Sequence, residues 1–160
     1  MKSTSEQQTY AIAADFATQL KGGELVALVG DLGSGKTTFV RGVVEALGST
    51  VRVKSPTFTI MNEYPILSHP ERRPLDGRVE GSAHVRSIIH IDLYRFKDPK
   101  HLEGIALEDV MRDDTVVFVE WPDVFGERFD LVSEAKRSNL KTYEIRFRFV
   151  DETTRDITIV

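Results

Sequence analysis

The 160-residue sequence predicts an α/β fold, a sandwich around a mainly parallel sheet with an antiparallel portion and a C-terminal hairpin. Segments with helical periodicity alternate with short apolar runs that are typical of strands buried on both faces. A glycine-rich segment joins the first of these runs to a helix, and two alternating segments flank a polar turn near the end of the chain. We expect residues 1–160 to form a single domain.

The elements can be predicted in order. Ser5 is the expected N-cap of a first helix, Gln8 completes a capping-box pattern, and Gly22-Gly23 should end the helix. The first buried strand should span residues 25–29. The same patterns predict further elements, which are a helix from 36 to about 47, a strand at 57–64 paired with one at 87–94, a helix from 98 to about 111, a strand at 116–120, and hairpin strands at 143–150 and 156–160.

Composition restricts the class of protein. Prolines, glycines and charges at residues 65–86 predict a long surface excursion. The formal charge of −4 does not favour direct binding of DNA or RNA, which usually requires a basic face. The chain has no cysteine, no signal-like N-terminus and no run near the roughly 20 apolar residues that span a bilayer. We therefore expect a cytoplasmic protein with no membrane or DNA partner.

Residues 30–37 satisfy the phosphate-binding (P-loop) pattern G-x-x-x-x-G-K-[ST]. The glycines let successive N–H groups converge on phosphate oxygens, and the following helix adds the positive end of its dipole. Lys36 should reach the β- and γ-phosphates, and the Thr37 hydroxyl should bind Mg²⁺. The candidate nucleotide-binding residues in and beside this segment are Asp31, Leu32, Gly33, Ser34, Gly35, Lys36, Thr37 and Thr38.

Two acidic residues stand where a P-loop enzyme needs a carboxylate for the metal and a polar group for the nucleophile. Asp92 follows the apolar run 88–91, and Glu120 follows the run 116–119. In the Walker pattern the metal-binding acid ends a strand next to the P-loop strand, and the sequence does not decide which of the two does. Ser55 opens a hydroxyl-rich segment that suits either a phosphate-sensing loop or an ordinary strand entry.

Four motifs in order resemble the TsaE family, small bacterial ATPases needed to make threonylcarbamoyladenosine in tRNA. They are the P-loop extended through Thr38-Phe39 to Arg41-Gly42, the segment Ser55-Pro56-Thr57-Phe58-Thr59, then Asp92-Leu93-Tyr94-Arg95, and Glu120-Trp121-Pro122. The resemblance runs from about Thr9 to Arg155. It departs from the family in the length of the 65–86 excursion and in the loosely matching region 125–141.

The resemblance implies a P-loop fold, ATP hydrolysis with Mg²⁺, and action on a partner complex, the TsaB–TsaD pair, with tRNA involved only indirectly. Carried over by position, Lys36 matches the family's phosphate-binding position, and Thr37 and Glu120 match the metal ligands. Asp92 matches the acid that assists hydrolysis, and Thr9 matches a residue that touches the nucleotide. The expected catalytic residues are thus Lys36 and Asp92, and the expected cofactors are ATP and Mg²⁺.

Three other functions compete with this interpretation. A small-molecule kinase would use the same P-loop, with arginines 72, 73, 78 and 86 as a lid. A non-catalytic switch would use nucleotide binding only to control assembly. A GTPase is the weakest of the three, because the chain has no N-K-x-D guanine motif. The four histidines have no metal-binding spacing, and surface or hydrogen-bonded roles are expected for them.

Overall fold

The computed structural model describes residues 1–56, 59–66, 85–96, 98, 110–124, 135 and 140–160. These residues form two helices, α1 (Glu6–Ala17) and α2 (Lys36–Ala46), and seven strands. The strands are β1 (Lys2–Ser3), β2 (Glu24–Val29), β3 (Met61–Pro65), β4 (Ser87–Asp92), β5 (Thr115–Glu120), β6 (Lys141–Phe149) and β7 (Arg155–Ile159). Nearly all of the predicted 98–111 helix and most of the 65–86 excursion lie outside the described residues.

All seven strands belong to one sheet in the order β1-β7-β6-β2-β5-β4-β3. The central strands β6, β2, β5 and β4 are mutually parallel, and β1, β7 and β3 join the edges in antiparallel pairings. The predicted α/β class, the antiparallel portion and the hairpin of β6 and β7 are therefore confirmed. The two-residue strand β1 was not predicted, because it is too short to produce a periodic pattern.

The apolar strands are buried on both faces, as their sequences predict. Alternate residues of β2 enter a cluster beneath α1 and α2 on one face and a second cluster on the opposite face. Strand β3 begins at Met61, later than the predicted start at residue 57. The reason lies at Ile60, whose φ of 70° interrupts the extended backbone directly before the strand.

Helix α1 begins as predicted, with the Ser5 hydroxyl accepting a hydrogen bond from the Gln8 backbone N–H at 3.2 Å. The Gln8 side chain accepts from the Thr4 backbone N–H at 2.7 Å, one residue before the position that a standard capping box uses. The helix ends at Ala17, earlier than Gly22-Gly23. After Ala17, backbone hydrogen bonds between residues three positions apart continue as far as Leu20. Neither described helix has the length and apolar character needed to cross a bilayer.

Helix α2 approaches α1 closely at Gly42. A Cβ atom at this position would lie 2.8 Å from the Ala13 Cβ and 2.8 Å from Cδ1 of Tyr10. The Arg41 guanidinium adds a polar link between the helices by donating to Glu6 at 3.0 Å. The absence of a side chain at Gly42 therefore allows α1 and α2 to pack this closely.

We expect Gly42→Val to lower the free energy of unfolding by about 1–3 kcal/mol, because overpacking forces neighbouring atoms to move. Thermal or denaturant unfolding measures the effect. Glu45→Ala, an exposed change on the same helix, is the matched control and should leave stability nearly unchanged. Equal stability of the two variants would contradict the close approach.

Candidate functional site

The glycine-rich loop, residues 30–37, connects the end of β2 to the start of α2. Gly30, Gly33 and Gly35 all have positive φ, a conformation that L side chains rarely adopt. At Gly30 a Cβ atom would also lie 2.6 Å from the Phe147 carbonyl oxygen. Gly35 is the N-cap residue and supplies no side-chain cap to the helix. The start of α2 therefore receives no hydrogen bond from a capping side chain at this residue, an arrangement suited to an anion.

The Lys36 side chain is buried at the mouth of this loop. Its ammonium donates hydrogen bonds to the carbonyl oxygens of Gly30 at 2.7 Å and Asp31 at 2.9 Å. It lies 4.4 Å from the centroid of the Trp121 ring. Burial lowers the pKa of Lys36, and nearby carboxylates, above all Glu120, partly offset that effect. The positive charge is thus held in a fixed place beside the loop.

Glu120 ends β5 and is almost fully buried. One carboxylate oxygen, Oε1, accepts from the Thr37 hydroxyl at 2.7 Å and lies 2.9 Å from Nε2 of His90. The other, Oε2, lies 3.9 Å from the Lys36 ammonium. Burial acts to raise the pKa of Glu120, but the His90 contact, the Thr37 hydrogen bond and the Lys36 charge outweigh it and hold the pKa below its usual value. The carboxylate is therefore ionised at neutral pH.

Asp92 ends the neighbouring strand β4 and is the register partner of Glu120, so both side chains emerge on the same face. Its Oδ1 accepts from the Tyr94 backbone N–H at 3.0 Å, and its own backbone N–H donates to the Ile60 carbonyl at 3.0 Å. The strand order distinguishes the two acids. β5 lies next to β2, and β4 lies one strand further away. Glu120 is thus the acid that ends a strand next to the loop strand.

The loop and the two acids border one cavity of about 150 Å³. Eight of the residues predicted for the site line it, together with Ser55, Tyr94 and Trp121, and those eight are Leu32, Gly33, Gly35, Lys36, Thr37, Thr38, Asp92 and Glu120. The structure therefore brings the loop, the acid pair and the head of the 55–59 segment together.

Three other predicted residues, Thr9, Asp31 and Ser34, are not part of that lining. The Thr9 hydroxyl is buried and shares a 2.8 Å hydrogen bond with the Ser3 hydroxyl. Asp31 instead contributes its carbonyl oxygen to Lys36. The Ser34 hydroxyl is buried without a hydrogen-bond partner in the described part of the chain. Nucleotide contacts for these side chains stay predictions.

The sequence analysis gave no site role to His90, Tyr94 or Trp121. His90 precedes Asp92 by two positions on β4, so period-two alternation could have placed both on one face. Trp121 has a φ of 58°, a rare backbone conformation for a non-glycine residue that no pattern announces. Its ring lies 5.2 Å from that of Tyr94, and together they form an aromatic wall beside Lys36.

Comparison with known proteins agrees with the resemblance seen in the motifs. Residues 3–157 match the family model described as Threonylcarbamoyl adenosine biosynthesis protein TsaE. Three relatives carry the name tRNA threonylcarbamoyladenosine biosynthesis protein TsaE, and each is 36% identical to this chain. The alignments cover 79% of this chain and 68% of the Bacillus subtilis protein, 62% and 52% for Haemophilus influenzae, and 74% and 73% for Aquifex aeolicus.

A solved structure supports the same assignment. The crystal structure of Bacillus subtilis YdiB matches with a TM-score of 0.65 and 27% sequence identity, over 99% of this chain and 82% of that one. Fold, motifs and family model therefore agree over nearly the whole length, and this chain belongs to the TsaE family.

Proposed function

We propose that the protein is a Mg²⁺-dependent ATPase that serves as an accessory in forming threonylcarbamoyladenosine in tRNA, by acting on a TsaB–TsaD protein pair. Membership of the TsaE family supports the tRNA-modification role. One observation carries the ATPase part: the Thr37 hydroxyl and the Lys36 ammonium converge on the Glu120 carboxylate, at 2.7 and 3.9 Å. A hydroxyl, an ammonium and a carboxylate are the side-chain groups that a site for a Mg²⁺-bound nucleotide requires.

In the proposed site, residues 30–37 hold the phosphates. The curled backbone and the start of α2 supply N–H donors, and Lys36 supplies a positive charge. Lys36 now donates to two carbonyl oxygens of its own loop, and phosphate oxygens would replace these acceptors. The nucleotide is thus gripped mainly by backbone groups, whose geometry the positive-φ glycines set.

Mg²⁺ prefers oxygen ligands and usually takes only one or two from the protein, with phosphates and water completing its shell. The Thr37 hydroxyl and the Glu120 carboxylate fit this preference, since they are adjacent oxygen donors and the carboxylate is ionised. We assign these two residues to the metal. When bound, Mg²⁺ would neutralise charge on the phosphate oxygens.

Asp92 is proposed to act on the attacking water. Its carboxylate lines the same cavity but ends a strand one position further from the loop strand than Glu120. A carboxylate at that place can accept a hydrogen bond from water and orient it toward the phosphate that Lys36 holds. The two acids therefore have different expected roles, although they are register partners.

The kinase alternative gains nothing from the described residues. Arginines 72, 73 and 78 of the expected lid lie outside them. Arg86 is exposed, lies 3.9 Å from the Asp114 carboxylate and does not line the cavity. Hydrolysis, with water as the acceptor, needs no further substrate pocket and is the simpler proposal.

The partner proposal is tested by binding in defined nucleotide states. ATP hydrolysis can change the state of a partner only if the ATP and ADP forms bind it with different affinity. We expect the affinity of the protein for a purified TsaB–TsaD pair to differ by about 10-fold or more between an ATP analogue and ADP. We also expect the protein alone to hydrolyse ATP slowly, and the rate of hydrolysis to rise when the pair is added.

Thr37→Val, which keeps the side-chain volume but removes the hydroxyl, is the control and should lose the nucleotide dependence. Lys21→Ala, an exposed change away from the cavity, should retain it. Equal affinity in all nucleotide states, with no change in the rate of hydrolysis, would refute the partner mechanism and leave the family membership intact.

A further inference from the structure

His90 has no assigned role, yet it is fully buried on β4. Its register partner on β5 is Phe118, whose side chain belongs to the apolar cluster beneath α1 and α2. A polar ring in such a place costs free energy unless it makes hydrogen bonds. His90 makes one with a side chain, to Oε1 of Glu120 at 2.9 Å. This contact therefore accounts for a histidine at this position.

The charge on the carboxylate gives the direction of this hydrogen bond. An ionised carboxylate can only accept, so the proton must lie on Nε2 of His90 and be donated to Glu120. Nδ1 of the same ring is buried with no hydrogen-bond partner among the described residues. Nε2 is therefore the ring nitrogen through which His90 contacts Glu120.

The Glu120 carboxylate is consequently held from two sides. His90 and the Thr37 hydroxyl both bond to Oε1, whereas Oε2 is directed toward the Lys36 ammonium. Rotation of the carboxylate would break both bonds to Oε1 at once. Partners of this kind commonly orient metal-binding side chains, and their removal typically weakens metal binding.

We propose that His90 is a positioning residue that fixes the Glu120 carboxylate, by donation from Nε2, in the orientation needed to bind Mg²⁺ beside Thr37. The inference rests on the proposed function, because it requires Glu120 to be a metal ligand. It assigns His90 no contact with nucleotide or water. Its effect should therefore appear in the affinity for Mg²⁺ rather than in the affinity for nucleotide without metal.

The test compares His90→Leu, which removes the donor, with His90→Gln, whose amide can place a donor near the position of Nε2. Calorimetric titration with ADP, in EDTA and across a Mg²⁺ series, gives the Mg²⁺ concentration at half effect. We expect His90→Leu to raise that concentration about 10-fold or more, and His90→Gln to lie close to the wild-type protein. ADP affinity in EDTA should be the same in all three.

Phe118→Leu is the structural control, because it alters the neighbouring core position on the same face but leaves the hydrogen bond in place. It should lower the thermal unfolding temperature without changing the Mg²⁺ dependence. If His90→Leu does not fold, His90→Asn replaces it in the test. The Asn side chain is one bond shorter than that of Gln, so its amide does not reach Glu120.

If a folded His90→Leu or His90→Asn variant kept the wild-type dependence on Mg²⁺, the inference would be overturned. It would also be overturned if His90→Gln lost as much Mg²⁺ affinity as the variant without the donor. Either result would leave the proposed function standing, provided that Mg²⁺ strengthens ADP binding to the wild-type protein. If Mg²⁺ had no effect on the nucleotide affinity of the wild-type protein, both the proposed function and the role of His90 would be overturned.

Discussion

Lys36→Ala should reduce ATP turnover by about 100- to 1,000-fold, the loss typical when a charge-stabilising donor is removed from an active site. The side chain is buried beside the loop, but its hydrogen bonds go to loop carbonyls and its role is charge rather than packing. The fold should therefore survive. Circular dichroism and thermal unfolding check the fold, and phosphate release at saturating Mg²⁺ and ATP measures turnover.

Two controls make this result specific. Lys21→Ala removes an exposed lysine outside the cavity and should leave turnover unchanged. Lys36→Arg keeps the charge but changes its shape and hydration, so most of the activity should still be lost. A folded Lys36→Ala protein with wild-type ATPase activity would remove the loop from the mechanism altogether.

The second large effect separates the two acids. Glu120→Gln keeps the size of the side chain but removes the charge. We expect it to weaken Mg²⁺ binding by about 100-fold, which is the upper end of the loss typical when a residue that only orients a metal ligand is removed. Asp92→Asn should leave Mg²⁺ affinity near normal and slow hydrolysis by about 100-fold, as expected for loss of a group that handles a proton. Mg²⁺ titration of ADP binding and turnover at saturating Mg²⁺ measure the two effects.

The assignment depends on strand order. Glu120 ends the strand next to the loop strand and accepts a hydrogen bond from the Thr37 hydroxyl, whereas Asp92 ends a strand one position further away. If Asp92→Asn lost Mg²⁺ binding and Glu120→Gln retained it, the roles would have to be exchanged. Asp123→Asn, an exposed change near the charge of Lys36, controls for general loss of negative potential.

Local chemistry made most of the site predictable from sequence. Lys36 and Thr37 occupy fixed positions in a short motif whose glycines set the backbone, so their placement needs no distant information. The choice between Asp92 and Glu120 was not predictable in the same way. It follows from which strand pairs with β2, and that depends on the assembly of the whole sheet.

The same distinction explains what sequence reasoning missed. The position of His90 two residues before Asp92 gave a usable periodic signal, but its partner Glu120 lies on another strand. Trp121 has a left-handed backbone, a conformation that its residue type argues against, and its ring lies 4.4 Å from the Lys36 ammonium. The nucleotide contact of Thr9 was predicted only from its position in the family pattern, and in this structure its hydroxyl forms a hydrogen bond with the Ser3 hydroxyl.

The place of β2 at the centre of the sheet also bears on how the chain folds. Thr37 and Glu120 stand 83 positions apart in sequence, and β2 pairs on both sides with strands from the second half of the chain. Contacts this distant require long loops to close first, which slows folding. A partly folded chain therefore lacks the site, and a ligand that recognises only the finished sheet should act chiefly by slowing unfolding.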